Sequence, residues 1–533
     1  MRHKIFRARQ IIAQNGEGIE AFATMGGFIV ATGGFEKLRT EFPSAELVTL
    51  DGVVVPGFND AHAHLAMAAE DLLHLDFSVK SVHSLAEIKA KIRSEAAKRP
   101  KTEWIRGSRY DDAKMVEGRA LTRADLDESA PDHPVLVLHV AGHWGVANSK
   151  ALELGRVNER STPPEGGEFG RDASGRLNGI LYEQAVFNFA YPSVAQGGAS
   201  VAPESTFEQR MHGLERAQTM FHAAGITSLG DALVGPHDFA LFAEAERSRK
   251  LTLRLNALIA VDHYDKLKAI GIKTGFGGNR LRIGGIKAFV DGAIGGRTCL
   301  LEEPFEGTDY HGMQTTATAE LRDIVRMSQE DGNRLCVHCN GDAALNILLD
   351  QFEAAANEFP RPGLRHRIEH CSVVTGEIVA RIKRLGACAI PFAGYIAYHG
   401  SKLNEWYGAK RLERMFAHNW FLREGVTVAG SSDFPCGPFE PLYGIQSMST
   451  RRGDDGAELG TSQKITPAQA LAIYTLGSAE VEGMAQRKGR LATGFLADFV
   501  VLDDDPLSVS PANIAKIPVR ETYVGADRVW SAD

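Results

Sequence analysis

Cysteine is scarce in this sequence: six residues among 533, at positions 299, 336, 339, 371, 388 and 436, none in the first half. That usage suits reduced thiols and excludes a disulfide framework. No apolar run reaches the roughly 18–20 residues that cross a bilayer. Like charge never concentrates beyond Asp503-Asp504-Asp505, so there is no charged tail. The net charge of -8 argues against nucleic acid or an anionic membrane surface as partner. Gly275-Phe276-Gly277-Gly278 lacks the Gly-Lys-Ser/Thr of a phosphate loop. The opening Met1–Arg7 is basic, but Ala8–Gly16 is too polar for the apolar stretch of a secretory signal, so we expect a cytoplasmic protein.

What remains is an ordinary globular composition, 44% hydrophobic and 24% charged. Short apolar segments alternate with amphipathic helical patterns. Eight strands are expected: Val53–His62, Gly225–Ala232, Leu253–Ala260, Leu281–Val290, Arg334–Cys339, His366–Cys371, Ala387–Phe392 and Val426–Asp433. Near-continuous apolar strands alternating with helices imply a parallel sheet covered by helices. Eight of them suggest a closed (β/α)8 TIM barrel, residues 53–66 and 216–474, with its active site at the strand C-termini. Two regions exceed a bare barrel. Residues 67–215, between the first two strands, are too many for a loop and carry their own patterns, such as Leu85–Lys98 and Val135–Val140, so an inserted α+β domain is expected. Residues 1–52 and 475–533 are β-rich and flank the barrel, so they can pair into one small β domain.

His62 and His64, in Val55-Pro56-Gly57-Phe58-Asn59-Asp60-Ala61-His62-Ala63-His64, share one strand face. Two imidazoles converging at a strand end make half a transition-metal site; alone, the pair reads equally well as two unrelated surface histidines. His338 ends the fifth strand, His370 the sixth and Asp433 the eighth. Lys287 sits inside the apolar fourth strand, where its charge must be desolvated. Taken alone, a salt bridge to Asp291 explains it. Beside four histidines and an aspartate on the right strand ends, a role at a metal becomes the better account: burial favours a neutral amine, which can add CO2 and become a bridging carbamate. Glu369 precedes His370 and is expected on the opposite face. Asp342 reads as a helix cap, and Cys336 and Cys339 as packing residues.

With these residues in view the sequence resembles the amidohydrolase superfamily, in the branch that includes N-substituted formamide deformylases. The matching segments are Pro56–His64, Gly142–Ser149, Asn178–Glu183, Ile286–Gly292, His338–Asp342, Arg367–Cys371, Ser432–Pro435 and Leu491–Asp505. The resemblance implies a binuclear centre held by His62, His64, carboxylated Lys287, His338, His370 and Asp433. It also implies a composite β-sandwich from the two termini and the insertion after the first strand. Two small departures, Thr298-Cys299 for a common Thr-Ala and Ile390 for a common Gln, bear on the substrate and leave the ligand set whole.

The expected chemistry is hydrolysis of an amide-type C–N bond in a small molecule. Two divalent cations, zinc first and manganese, cobalt or iron as alternatives, would bridge the attacking hydroxide. Asp433 would take its proton and pass it to the leaving nitrogen. A deaminase on the same scaffold commonly has a glutamate three residues after the fifth-strand histidine, where this chain has Gly341. An esterase, lactonase or phosphoesterase and a non-catalytic barrel stay open, as does a homo-oligomer. Specificity belongs to the loops after the strands. Their candidate substrate contacts are His143, Trp144, Arg297 and Tyr395, which favour a neutral, partly apolar amide.

Overall fold

All eight expected segments enter one sheet. In a computed structural model, which describes residues 3–14, 18–191 and 194–532, its strands are β1 (Phe58–Ala63), β2 (Ile226–Val234), β3 (Arg254–Ala260), β4 (Leu281–Phe289), β5 (Leu335–Cys339), β6 (Arg367–His370), β7 (Cys388–Ile390) and β8 (Thr427–Val428). They are hydrogen-bonded in that order. The register is parallel between β1 and β2 and from β3 through β8. The sheet curls until its ends meet. The Ala61 N–H donates to the Gly430 carbonyl (3.0 Å), Asp433 N–H to His62 (2.9 Å) and His64 N–H to Phe434 (2.9 Å). The last segment is therefore shorter as a strand than its sequence suggests: Thr427–Val428 pair with β7, and the chain beyond them bonds to β1.

The expected first strand, Val53–His62, is two strands in two sheets. Val53–Pro56 complete a strand, Glu46–Pro56, that pairs with both ends of the chain, and β1 starts after Gly57. The break has a steric cause. A Cβ on Gly57 would lie 2.2 Å from Thr227 Oγ1 and 2.5 Å from its Cγ2, so only glycine lets the chain pass β2 here. Gly57→Ala should cost about 1–3 kcal/mol, as overpacking does. Urea unfolding should show the lower midpoint; an unchanged midpoint would contradict this account of the break.

The terminal sheet has seven strands in the order Asp527–Ser531, Val519–Val524, Phe499–Leu502, Glu46–Pro56, Lys4–Ile11, Ala21–Met25, Phe28–Gly33. The two ends of the chain join where Val501 pairs with Val54. Phe22 and Phe499 stand three strands apart, about 14 Å in a flat sheet, yet their ring centroids are 5.1 Å apart. This sheet is also strongly curved, around a core that includes Phe6, Phe22, Val54, Phe499 and Tyr523. Met1 and Arg2 of the basic opening, and Asn15 and Gly16 of the polar stretch after it, lie outside the described residues.

The chain divides into two compact units. One comprises Met1–His64, Gln218–Leu233 and Phe242–Asp533 and holds both sheets described so far; the other comprises Leu65–Ala217 and Val234–Leu241. The second has its own six-stranded mixed sheet, from Gly167–Arg171 at one edge to Leu75–Asp76 at the other. Helices Leu85–Ala96 and Arg123–Ser129 add Ile88, Ile92 and Leu126 to a core with Val135 and Val137. Its short segment Val234–Leu241, which begins the helix after β2, carries no sign in the sequence of belonging there. Among the described residues no helix is long and apolar enough to cross a membrane.

Candidate metal centre

The C-terminal ends of the parallel strands carry the titratable side chains that composition alone would place at the surface. His62, Lys287, His338 and His370 are all nearly fully buried, and Asp433 is 6% exposed. Oδ1 of Asp433 lies 3.2 Å from His62 Nε2 and 3.1 Å from His64 Nε2. The His370 ring is 4.7 Å from that of His62 and 4.5 Å from that of His338. Ligand atoms of His62, His370 and Asp433 all lie within 4.8 Å of one another.

Backbone geometry explains how neighbouring residues share this space. In the parallel register β4–β5–β6, Phe289 pairs with His338 and His338 with Glu369. Residues in register project to the same side, so Glu369, and not His370, inherits the inward direction from simple alternation. The expectation that Glu369 faces away is thereby overturned: its Oε2 is 2.5 Å from His62 Nδ1. His370 is brought into the centre by a positive φ of 71°, followed by 40° at Cys371. Asp433 has φ 55°. Such conformations are uncommon for non-glycine residues and recur where side chains must be aimed.

Lys287 Nζ lies 4.8 Å from the centroid of Phe289. Burial pushes its pKa down, with Glu369 and Asp433 pulling the other way. The salt bridge that could have explained this lysine has other partners: the Asp291 carboxylate accepts the N–H groups of Leu300, Asn340 and Gly341, each at 2.9 Å. Burial works against ionised Asp433, but the His370, His62 and His64 rings hold it well below the usual carboxylate range. Burial drives His370 well below the usual imidazole value, so it is neutral and able to ligate.

Several contributors escape sequence reasoning. Asp60 is fully buried and accepts from Ser432 N–H (3.0 Å) and Oγ (2.5 Å) and from His62 N–H (3.3 Å), clamping the two ligand-bearing segments together. Burial raises its pKa to about 7, against those hydrogen bonds. Asp60 stands two positions before His62, so strand alternation was the available clue. Asp342 does not cap its helix; Gly341 occupies that position, and the Asp342 carboxylate accepts from Glu302 N–H and pairs with Arg414. All six cysteines are free and buried.

The candidate substrate contacts divide between the units. Phe392 stacks on His370 (4.4 Å) and Tyr395 on Phe392 (3.6 Å), so Tyr395 is buried one ring behind a candidate ligand. Arg297 lies over Trp406 (5.7 Å) at a cleft of about 260 Å³ that also includes Thr298, Phe305 and Tyr310. His143 and Trp144 belong to the other unit: His143 Nδ1 is 2.8 Å from Glu183 Oε2, and Trp144 stacks on His139 at 4.2 Å.

A donor set suits a cation when it offers lone pairs that nothing else uses. His62 Nε2, His64 Nδ1 and His370 Nδ1 are buried without a hydrogen-bond partner, although His62 Nε2 is close to Asp433 in distance. Leaving three such nitrogens unsatisfied is costly, and the Asp433 carboxylate stands beside the His62 and His64 rings. The residues fit a divalent transition metal.

A model of the amidohydrolase family matches residues 50–529. The chain belongs to the amidohydrolase family. It is 28% identical to YtcJ of Bacillus subtilis over 97% of each chain. It is 29% identical to the N-substituted formamide deformylase of Arthrobacter pascens, covering 95% of this chain and 94% of that one. Among solved structures it is similar to an uncharacterized metal-dependent hydrolase from Pyrococcus horikoshii, with 27% identity, a TM-score of 0.75, and 96% and 99% of the two chains covered. The chain has a second group with metal-like spacing, Asp111, Asp112 and His139. There the Ala141 N–H donates to His139 Nδ1 (3.1 Å). The ring's Nε2 lies 3.2 Å from Asp112 Oδ1 and, like His62 Nε2, is buried without a hydrogen-bond partner.

Proposed function

We propose that this protein is a metal-dependent hydrolase of amide-type C–N bonds in a small molecule. Its site lies at the C-terminal end of a closed (β/α)8 barrel, beside a terminal sheet folded into a sandwich. The observation that carries the reading is the buried group His62, His370 and Asp433, whose ligand atoms lie within 4.8 Å of one another, with His62 Nε2 lacking a hydrogen-bond partner. His62, His64, His338, His370, Asp433 and a carboxylated Lys287 would hold two divalent cations, zinc in the first instance. When bound, such ions supply a nucleophilic water at neutral pH and polarise the substrate carbonyl.

The chain's own residues divide the remaining work. Oδ1 of Asp433 faces both His62 and His64, which leaves Oδ2 to carry a proton. Oδ2 accepts the proton released as water adds to the carbonyl carbon and returns it to the amide nitrogen, which leaves poorly unless protonated. His62 and His370, both buried, keep bulk water from the reacting centre. Arg297 and the aromatic residues beside it receive the rest of a neutral, partly apolar substrate. The name of the Arthrobacter relative, a formamide deformylase, supports beginning with formamides.

Formamides, N-acyl amines and cyclic amides should be screened with zinc- or manganese-loaded protein and with chelator-treated protein. Hydrolysis of at least one amide class, lost on chelation and regained on adding metal, is expected. Turnover of esters or amino-heterocycles with none of any amide would overturn the choice of bond.

A further inference from the structure

Beneath the candidate ligands lies a pair of charges that the hydrolytic chemistry does not use. Arg367 and Glu369 are both fully buried. Arg367 Nε donates to Glu369 Oε1 (2.7 Å), and its Nη2 donates to Glu369 Oε2 (2.9 Å) and to the Ala61 carbonyl (2.8 Å). The carboxylate's Oε2 also faces His62 Nδ1 at 2.5 Å. A guanidinium at this distance keeps the carboxylate ionised and therefore acceptor-only. The facing nitrogen of His62 must then be the one that carries the proton. With Nδ1 protonated, the lone pair of the neutral ring sits on Nε2, the nitrogen without a hydrogen-bond partner that points toward Asp433.

We propose that Glu369 is a positioning residue that fixes His62 as its Nδ1–H tautomer and aims Nε2 at the metal, with Arg367 as the counter-ion that keeps Glu369 charged. The inference rests on the reading of His62 as a ligand. It adds that a charged pair on β6 determines how a ligand on β1 binds. The Ala61 contact ties Arg367 to the same strand one residue before His62, so ring and backbone are held by one group. Partners of this kind raise the basicity of a ligating imidazole, and their loss typically weakens metal binding 10–100-fold.

Removing Glu369 alone strands a buried guanidinium and can unfold the chain, so the informative variant removes both charges: Arg367→Met with Glu369→Gln. Zinc affinity by chelator competition and the visible spectrum of the cobalt-loaded protein are compared with the parent's. The double variant should bind zinc 10–100-fold more weakly and show an altered cobalt spectrum, because a glutamine amide can donate to Nδ1 as readily as accept from it. If the pair serves only to neutralise itself, the double variant binds zinc like the parent, which would overturn the proposal. A second measurement needs no variant. Nitrogen NMR of the histidine-labelled, metal-free parent should show His62 protonated at Nδ1, and protonation at Nε2 would equally overturn it. A parent that binds no metal at all, while His62 is protonated at Nδ1, would instead remove the ligand reading and leave the tautomer assignment standing.

Discussion

Asp433→Asn should lower kcat by about 10²–10⁴-fold, the usual contribution of a positioned acid–base group, on whichever amide the protein hydrolyses. The substitution keeps shape and volume, but the amide cannot take a proton from water and return it to nitrogen. It also removes the negative charge that faces His62 and His64 at 3.1–3.2 Å, so metal affinity should fall as well. Measuring kcat at saturating metal separates the two effects. A variant that is metal-loaded and retains more than a tenth of the parent's kcat would show that the proton travels by another group.

Replacing Lys287 should have the larger effect on the site itself. Lys287→Ala is expected to lose its metal and its activity, and a short carboxylic acid in solution should restore part of both. An ammonium among these ligands would repel two dications, and no surface water relieves a side chain that is 1% exposed. The burial that lowers its pKa favours the free amine. That amine would attack CO2 at carbon, lose a proton and become a carbamate with two donor oxygens. Lys287→Arg should be inactive despite its similar length, because the guanidinium stays charged and forms no carbamate. Metal uptake by the parent should therefore depend on dissolved CO2. Full activity in the arginine variant, or an unmodified lysine in metal-loaded active protein, would contradict this.

The sequence shows more of the site than of its support. The eight strands are legible because their apolar runs are bounded by turns; the candidate ligands His62, His338 and Asp433 stand where such runs end, and Lys287 stands out as a charge inside one. The candidate ligand His370 also ends a run, but its direction has a further cause. Strand alternation places Glu369 inward, and only the left-handed backbone at His370 and Cys371 brings both side chains to the centre. No periodicity argument contains that conformation. The break at Gly57 was hidden for a related reason: Val53–His62 is a continuous apolar pattern, and its division between two sheets depends on Thr227, 170 positions away in the chain. The Asp60–Ser432 and Arg367–Glu369 contacts likewise join residues whose polar identity inside apolar strands is visible, but whose partners emerge only when β1, β6 and the chain after β8 come together.

Elemental analysis of the protein purified without chelator addresses the central claim most directly. Four histidines, a buried lysine and an ionised aspartate converging at the strand ends predict about two divalent cations per chain, removable by chelator and restored by zinc, manganese or cobalt. A chain that carries no metal as purified and takes up none of these ions when they are supplied would contradict the account.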